Sequence, residues 1–121
     1  MSGIYVHIPF CVRKCGYCDF FSVTGGEEAH ERYCGLLLRE LDFVLRSFPG
    51  EAKVPADTVY FGGGTPSVLG PERLGRLLEG IRSRILLAEG VEVTLEANPG
   101  TIREEDFRRL LEAGFNRVSL G

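Results

Sequence analysis

"GIYVHIPFCVRKCGYC" occupies residues 3–18. Its first half alternates in a strand-like manner, with Ile4, Val6 and Ile8 on one face and Tyr5 and His7 on the other. Its second half puts Cys11, Cys15 and Cys18 within eight residues of one another, straight after that strand. A strand over 3–10 therefore delivers a loop crowded with thiols.

Three further strand-like runs follow: "DTVYFGG" (57–63), "VEVTLEAN" (91–98) and "RVSLG" (117–121). Helical patterns separate them. The first, over 27–48, carries Tyr33, Leu37, Leu41, Val44 and Phe48 on one face. The second follows Pro71, a good first-turn residue, and aligns Leu74, Leu77, Leu78, Ile81 and Ile85. The third opens with "TIRE", in which Thr101 and Glu104 fit a capping box, and Gly114 suits its C-terminal cap.

The order is βαβαβαβ, so the fold class is α/β with a parallel sheet, because each parallel return needs a crossover helix. Ending on a fourth strand without a following helix, the chain reads as part of a longer barrel-like protein. Each strand presents one apolar face and one polar or aromatic face. Thr58 and Tyr60 oppose Val59 and Phe61, Glu92, Thr94 and Glu96 oppose Val91, Val93 and Leu95, and Arg117 and Ser119 oppose Val118 and Leu120. Closed (β/α)₈ barrels fill their interior with branched apolar side chains, so polar inner faces suit an open, wetter barrel. The alternative is a flat sheet with one solvated face, uncommon for parallel sheets. Glu92 and Arg117 fall at a similar level on neighbouring strands and are expected to pair.

The net charge of −3 gives no basic field for nucleic acid or an anionic membrane surface. No apolar run approaches the roughly 20 residues of a membrane span, so an integral membrane protein is not expected. The start "MSGIYVHIPF" lacks the features of a signal peptide, and the expected location is cytoplasmic. Thiols stay reduced there, so the tight spacing reads as metal binding before disulfide.

Zinc needs four ligands in a closed structural site. Candidates for the fourth are poor. Cys34 sits on the first helix beside its packing face, His7 on the strand, His30 on an exposed helix start, and Asp19 is a hard ligand. An iron–sulfur cluster on three thiolates instead leaves one iron open to a ligand.

The spacing C-x₃-C-x₂-C, with "YFGGGTPS" at 60–67 and "LEANPG" at 95–100, resembles the radical S-adenosylmethionine (SAM) superfamily, in particular its oxygen-independent coproporphyrinogen oxidase-like group. "CDFFS" is most similar to the heme-chaperone branch. Porphyrinogen-oxidising members carry a further cysteine two residues after the third, where this chain has Phe20.

The resemblance implies that residues 1–121 form the N-terminal portion of a radical SAM core, part of a partial (β/α)₆ TIM-like barrel. It implies a [4Fe–4S] cluster on Cys11, Cys15 and Cys18, with SAM chelated at the open iron and contacted by Tyr5, Tyr17, Gly63, Gly64, Thr65 and Glu96. Reductive cleavage of SAM is open to such a site in principle. For Glu96, a partnership with Arg117 is the alternative; for Tyr5 and Tyr17, plain aromatic packing. His7 is either a structural histidine or a hydrogen-bonding neighbour of the cluster. Arg13 and Lys14 either solubilise the loop or favour ionised thiolates.

The expected function is heme binding and transfer to acceptor proteins, with an electron donor for the cluster as a further partner. A radical SAM oxidoreductase acting on a tetrapyrrole such as coproporphyrinogen III is the alternative, and a zinc- or iron-binding sensor module the third.

Overall fold

A computed structural model describes residues 2–11 and 26–120. Strands β1 (Ser2–Ile8), β2 (Ala56–Gly63), β3 (Leu87–Ala97) and β4 (Arg117–Leu120) alternate with helices α1 (Glu27–Ser47), α2 (Gly70–Arg82) and α3 (Glu104–Ala113). Short 3₁₀ turns at Pro49–Lys53, Pro66–Leu69 and Pro99–Thr101 each begin with a proline, whose fixed φ and missing N–H suit a first turn.

The strands are all parallel and lie in the order β1-β2-β3-β4. A doubly wound sheet reverses its strand order at a switch point; this one advances in one direction, as a barrel wall does. The core lies on one side only. Val6, Ile8, Val59, Phe61, Val93 and Leu95 meet Leu74, Leu77, Leu78 and Ile81 of α2 and Leu110 of α3, with Leu37, Leu38 and Leu41 of α1 packed against them. Phe61, Ile8, Leu74 and Leu95 are fully buried. Each such side chain contributes about 1.5–3 kcal/mol of transfer free energy. The opposite face carries Tyr5, His7, Thr58, Tyr60, Glu92, Glu96 and Arg117, as the alternation predicts.

Several local expectations need correction. Phe48 caps α1 instead of extending its apolar face and is 62 % exposed; Val44 is also exposed. Ile85 lies beyond the end of α2, yet still packs on the core. β3 begins four residues earlier than the alternation suggests, at Leu87, and ends before Asn98. The expected box of Thr101 and Glu104 is not formed at the start of α3; instead the Arg103 backbone N–H donates to Asp106 Oδ2 at 3.1 Å, half of a capping box, since the Arg103 guanidinium has no acceptor for the other half. The 3₁₀ turn at Pro99–Thr101 moves the helix start downstream of the "TIRE" threonine. Gly114 does close α3, with φ of 118°. On β4, Val118 and Leu120 stay exposed, because α3 packs chiefly on α2 and leaves that sheet edge open.

Candidate functional site

The carboxyl ends of β1, β2 and β3 converge on one rim. After β2 the chain folds back onto the end of β1: Gly64 N–H donates to Ile8 O at 2.8 Å and Thr65 N–H to Phe10 O at 2.6 Å. A Cβ on Gly64 would lie 2.5 Å from Phe10 O and 3.0 Å from Cys11 Sγ. Gly63 has φ of 120°, and a Cβ there would lie 2.7 Å from Ile8 O. Both positions therefore need glycine for the protein's own close packing. The triple glycine presses its backbone against the strand end that carries Cys11.

Glu96, half-buried near the end of β3, is held by both carboxylate oxygens. Tyr60 Oη donates to Oε2 at 2.6 Å, and Gly63 N–H donates to Oε1 at 3.1 Å. Tyr60 stacks on Tyr5, its register partner on β1, with centroids 6.0 Å apart and planes at 17°. The hydrogen bond to Glu96 raises the Tyr60 phenol above its ordinary pKa; burial, with the Glu96 charge behind it, does the same for Tyr5. Tyr5 Oη also lies 3.3 Å from His7 Nδ1. Beside Glu96 opens a cleft of about 240 Å³ lined by Gly64, Thr65, Glu96, Ala97, Asn98 and Ser119. Asn98 Oδ1 accepts the Gly100 N–H at 2.9 Å, and its own N–H donates to buried Ser67 Oγ at 3.3 Å, which fixes the lip of the cleft.

Of the residues expected to bind cofactors, Cys11, Tyr5, Gly63, Gly64, Thr65 and Glu96 meet at this rim; Cys15, Tyr17 and Cys18 lie outside the described residues. Glu96 is not the partner of Arg117. That role falls to Glu92, whose Oε1 is 3.5 Å from Arg117 Nη1. Cys34 is half-buried on α1, and burial raises its thiol pKa.

His30 departs from expectation. It is only 6 % exposed, its ring meets Phe10 edge-on at 4.5 Å, and its Nε2 has no hydrogen-bond partner among the described residues. The Phe10 side chain folds over the first turn of α1, which helical periodicity alone does not reveal. Tyr60 was legible only as a polar-face aromatic; its bond to Glu96 depends on the β2–β3 register.

The rim brings together the Cys11 thiol, the glycine backbone, the Thr65 hydroxyl and the fixed Glu96 carboxylate; among the described residues no group of three or more metal-ligating side chains gathers. Among the described residues, no helix is long and apolar enough to cross a membrane.

Residues 5–121 match the family model described as "Radical SAM superfamily". The chain is 44 % identical over 120 residues to the heme chaperone HemW of Escherichia coli (strain K12), covering 98 % of this chain and 31 % of that protein. It is 43 % identical to the heme chaperone HemW of Mycobacterium tuberculosis (strain ATCC 25618 / H37Rv), covering 98 % and 30 %. It is 40 % identical to anaerobic coproporphyrinogen III oxidase 1 of Cereibacter sphaeroides, covering 98 % and 26 %. The solved structure of coproporphyrinogen III oxidase (HemN) from Escherichia coli, described as a radical SAM enzyme, superposes with a TM-score of 0.86 at 29 % identity, over 99 % of this chain and 27 % of that one. The chain thus spans about a third of the length of the curated relatives it matches.

Proposed function

Because this chain belongs to the radical SAM superfamily, we propose that it is the cluster- and SAM-binding N-terminal portion of a heme chaperone, a protein that binds heme and passes it to acceptor proteins. Cys11, Cys15 and Cys18 hold a [4Fe–4S] cluster in this reading. Tyr5, Tyr17, Gly63, Gly64, Thr65 and Glu96 surround SAM. Such a cluster supplies an open iron for the amino and carboxylate groups of SAM and an electron from a donor protein.

The chain's own part is placement. The backbone of Gly63 and Gly64 leaves room for a ligand, Glu96 receives a cationic group, and the Tyr5–Tyr60 stack forms an aromatic wall. The observation that carries the cofactor reading is the meeting of Gly64 with Cys11 Sγ at the rim that Glu96 also lines.

Phe20, in the place of the oxidases' extra cysteine, favours the chaperone over a porphyrinogen oxidoreductase. Likeness to coproporphyrinogen oxidases keeps that second reading in play. The test is anaerobic reconstitution, followed by assays of iron, labile sulfide, heme binding and heme transfer to an apo-acceptor. Heme transfer without porphyrinogen turnover is expected. Oxidation of coproporphyrinogen coupled to SAM cleavage would establish the oxidoreductase instead, and zinc without sulfide the sensor.

A further inference from the structure

We propose that Tyr60 is a positioning residue whose hydroxyl holds the Glu96 carboxylate ready to receive the amino group of SAM. The inference rests on the reading of Glu96 as the carboxylate that holds SAM.

A free glutamate side chain has three rotatable torsions. Fixing them before the ligand arrives removes that entropy from the cost of binding. Here Tyr60 Oη and Gly63 N–H each take one carboxylate oxygen, at 2.6 and 3.1 Å. The remaining lone pairs of Glu96 are left for the cleft it lines. An amine bound to iron has given its lone pair to the metal and offers two N–H donors and no acceptor, so it complements that surface. A carboxylate is repelled by it, so the pair also selects which end of an amino acid enters.

Tyr60 is itself well fixed. Its neighbours Val59 and Phe61 are fully buried, and its ring stacks on Tyr5. The bond to Glu96 raises the pKa of the phenol, so the hydroxyl remains a donor at neutral pH.

Tyr60→Phe keeps the ring and removes only the hydroxyl. In reconstituted protein it should leave iron content unchanged, lower Tm slightly through the lost hydrogen bond, and weaken SAM binding roughly tenfold by calorimetry, the scale of the side-chain entropy no longer removed in advance. Binding of 5′-methylthioadenosine, which lacks the amino-acid end, should not change. In a Glu96→Gln background, removing the hydroxyl should have no further effect on SAM. If Glu96→Gln weakens SAM and Tyr60→Phe does not, the positioning role is wrong and the Glu96 reading stands. If neither weakens SAM, the Glu96 reading itself fails. Equal weakening of SAM and methylthioadenosine by Tyr60→Phe would show that the ring acts elsewhere and overturn the proposal.

Discussion

Gly64 lies so close to the start of the cysteine segment that a Cβ on it would sit 3.0 Å from Cys11 Sγ and 2.5 Å from the Phe10 carbonyl. The glycine run therefore clamps the loop after β2 to the end of β1. Gly64→Ala forces one backbone segment away from another, an overpacking that costs about 1–3 kcal/mol. We expect it to lower both stability and cluster occupancy, measured by denaturant unfolding and iron content. Gly35→Ala is the control: nothing lies within 4 Å of a Cβ there, and alanine favours the helix. Equal behaviour of the two variants would refute the clamp.

Cysteine replacement separates ligands from bystanders. Alanine at Cys11, Cys15 or Cys18 should abolish the cluster absorption after anaerobic reconstitution. Cys34→Ala should retain it, because Cys34 is a half-buried thiol on α1 whose pKa burial raises. A cluster that survives Cys11→Ala, or is lost in Cys34→Ala, would contradict the assignment.

The parallel α/β order was legible because period-2 and period-3.6 patterns alternate cleanly, and because Pro71 and Gly114 punctuate α2 and α3. Inward and outward faces were legible for the same reason: Val59 and Phe61 are buried where Thr58 and Tyr60 are not. What escaped depends on tertiary contact. The start of β3 at Leu87 is set by pairing with Ala56, across a register shift that no local pattern encodes. The start of α3 moved downstream because the 3₁₀ turn at Pro99–Thr101 takes up the threonine. The rim residues were found through their motifs. The reason for the glycines was only half visible, since their tightest contacts are with Ile8 and Phe10 of this chain.

The expected pairing of Glu92 with Arg117 is present, at 3.5 Å, and Arg117 also reaches Thr94 Oγ1 at 3.5 Å. The side chains are 52 % and 56 % exposed, so water screens the pair. A coupling energy of about 1 kcal/mol or less is expected from a Glu92→Gln, Arg117→Gln double-mutant cycle in denaturant. It should shrink further in high salt. Coupling of about 3 kcal/mol or more would mean that the pair is desolvated.

His30 makes the fold sensitive to acid. Its ring is buried against Phe10, and its Nε2 has no partner among the described residues. Burial lowers its pKa, Arg73 of α2 lowers it further, and Glu27 on its own helix opposes both. The folded state thus favours neutral imidazole more than the unfolded chain does. That contribution is fully present above the unfolded pKa of about 6.5 and is lost as pH falls through it towards the folded value, because the unfolded chain binds the proton first. Stability measured by denaturant unfolding should therefore drop between neutral pH and about pH 5 by more in the wild type than in His30→Phe. The replacement also removes a buried polar atom with no partner among the described residues, whose desolvation costs about 1–3 kcal/mol, so at pH 7 His30→Phe should be as stable as the wild type or more so. An unchanged acid slope in His30→Phe would assign the sensitivity to other groups. A loss of stability at pH 7 would mean that Nε2 finds a partner when the protein is in solution.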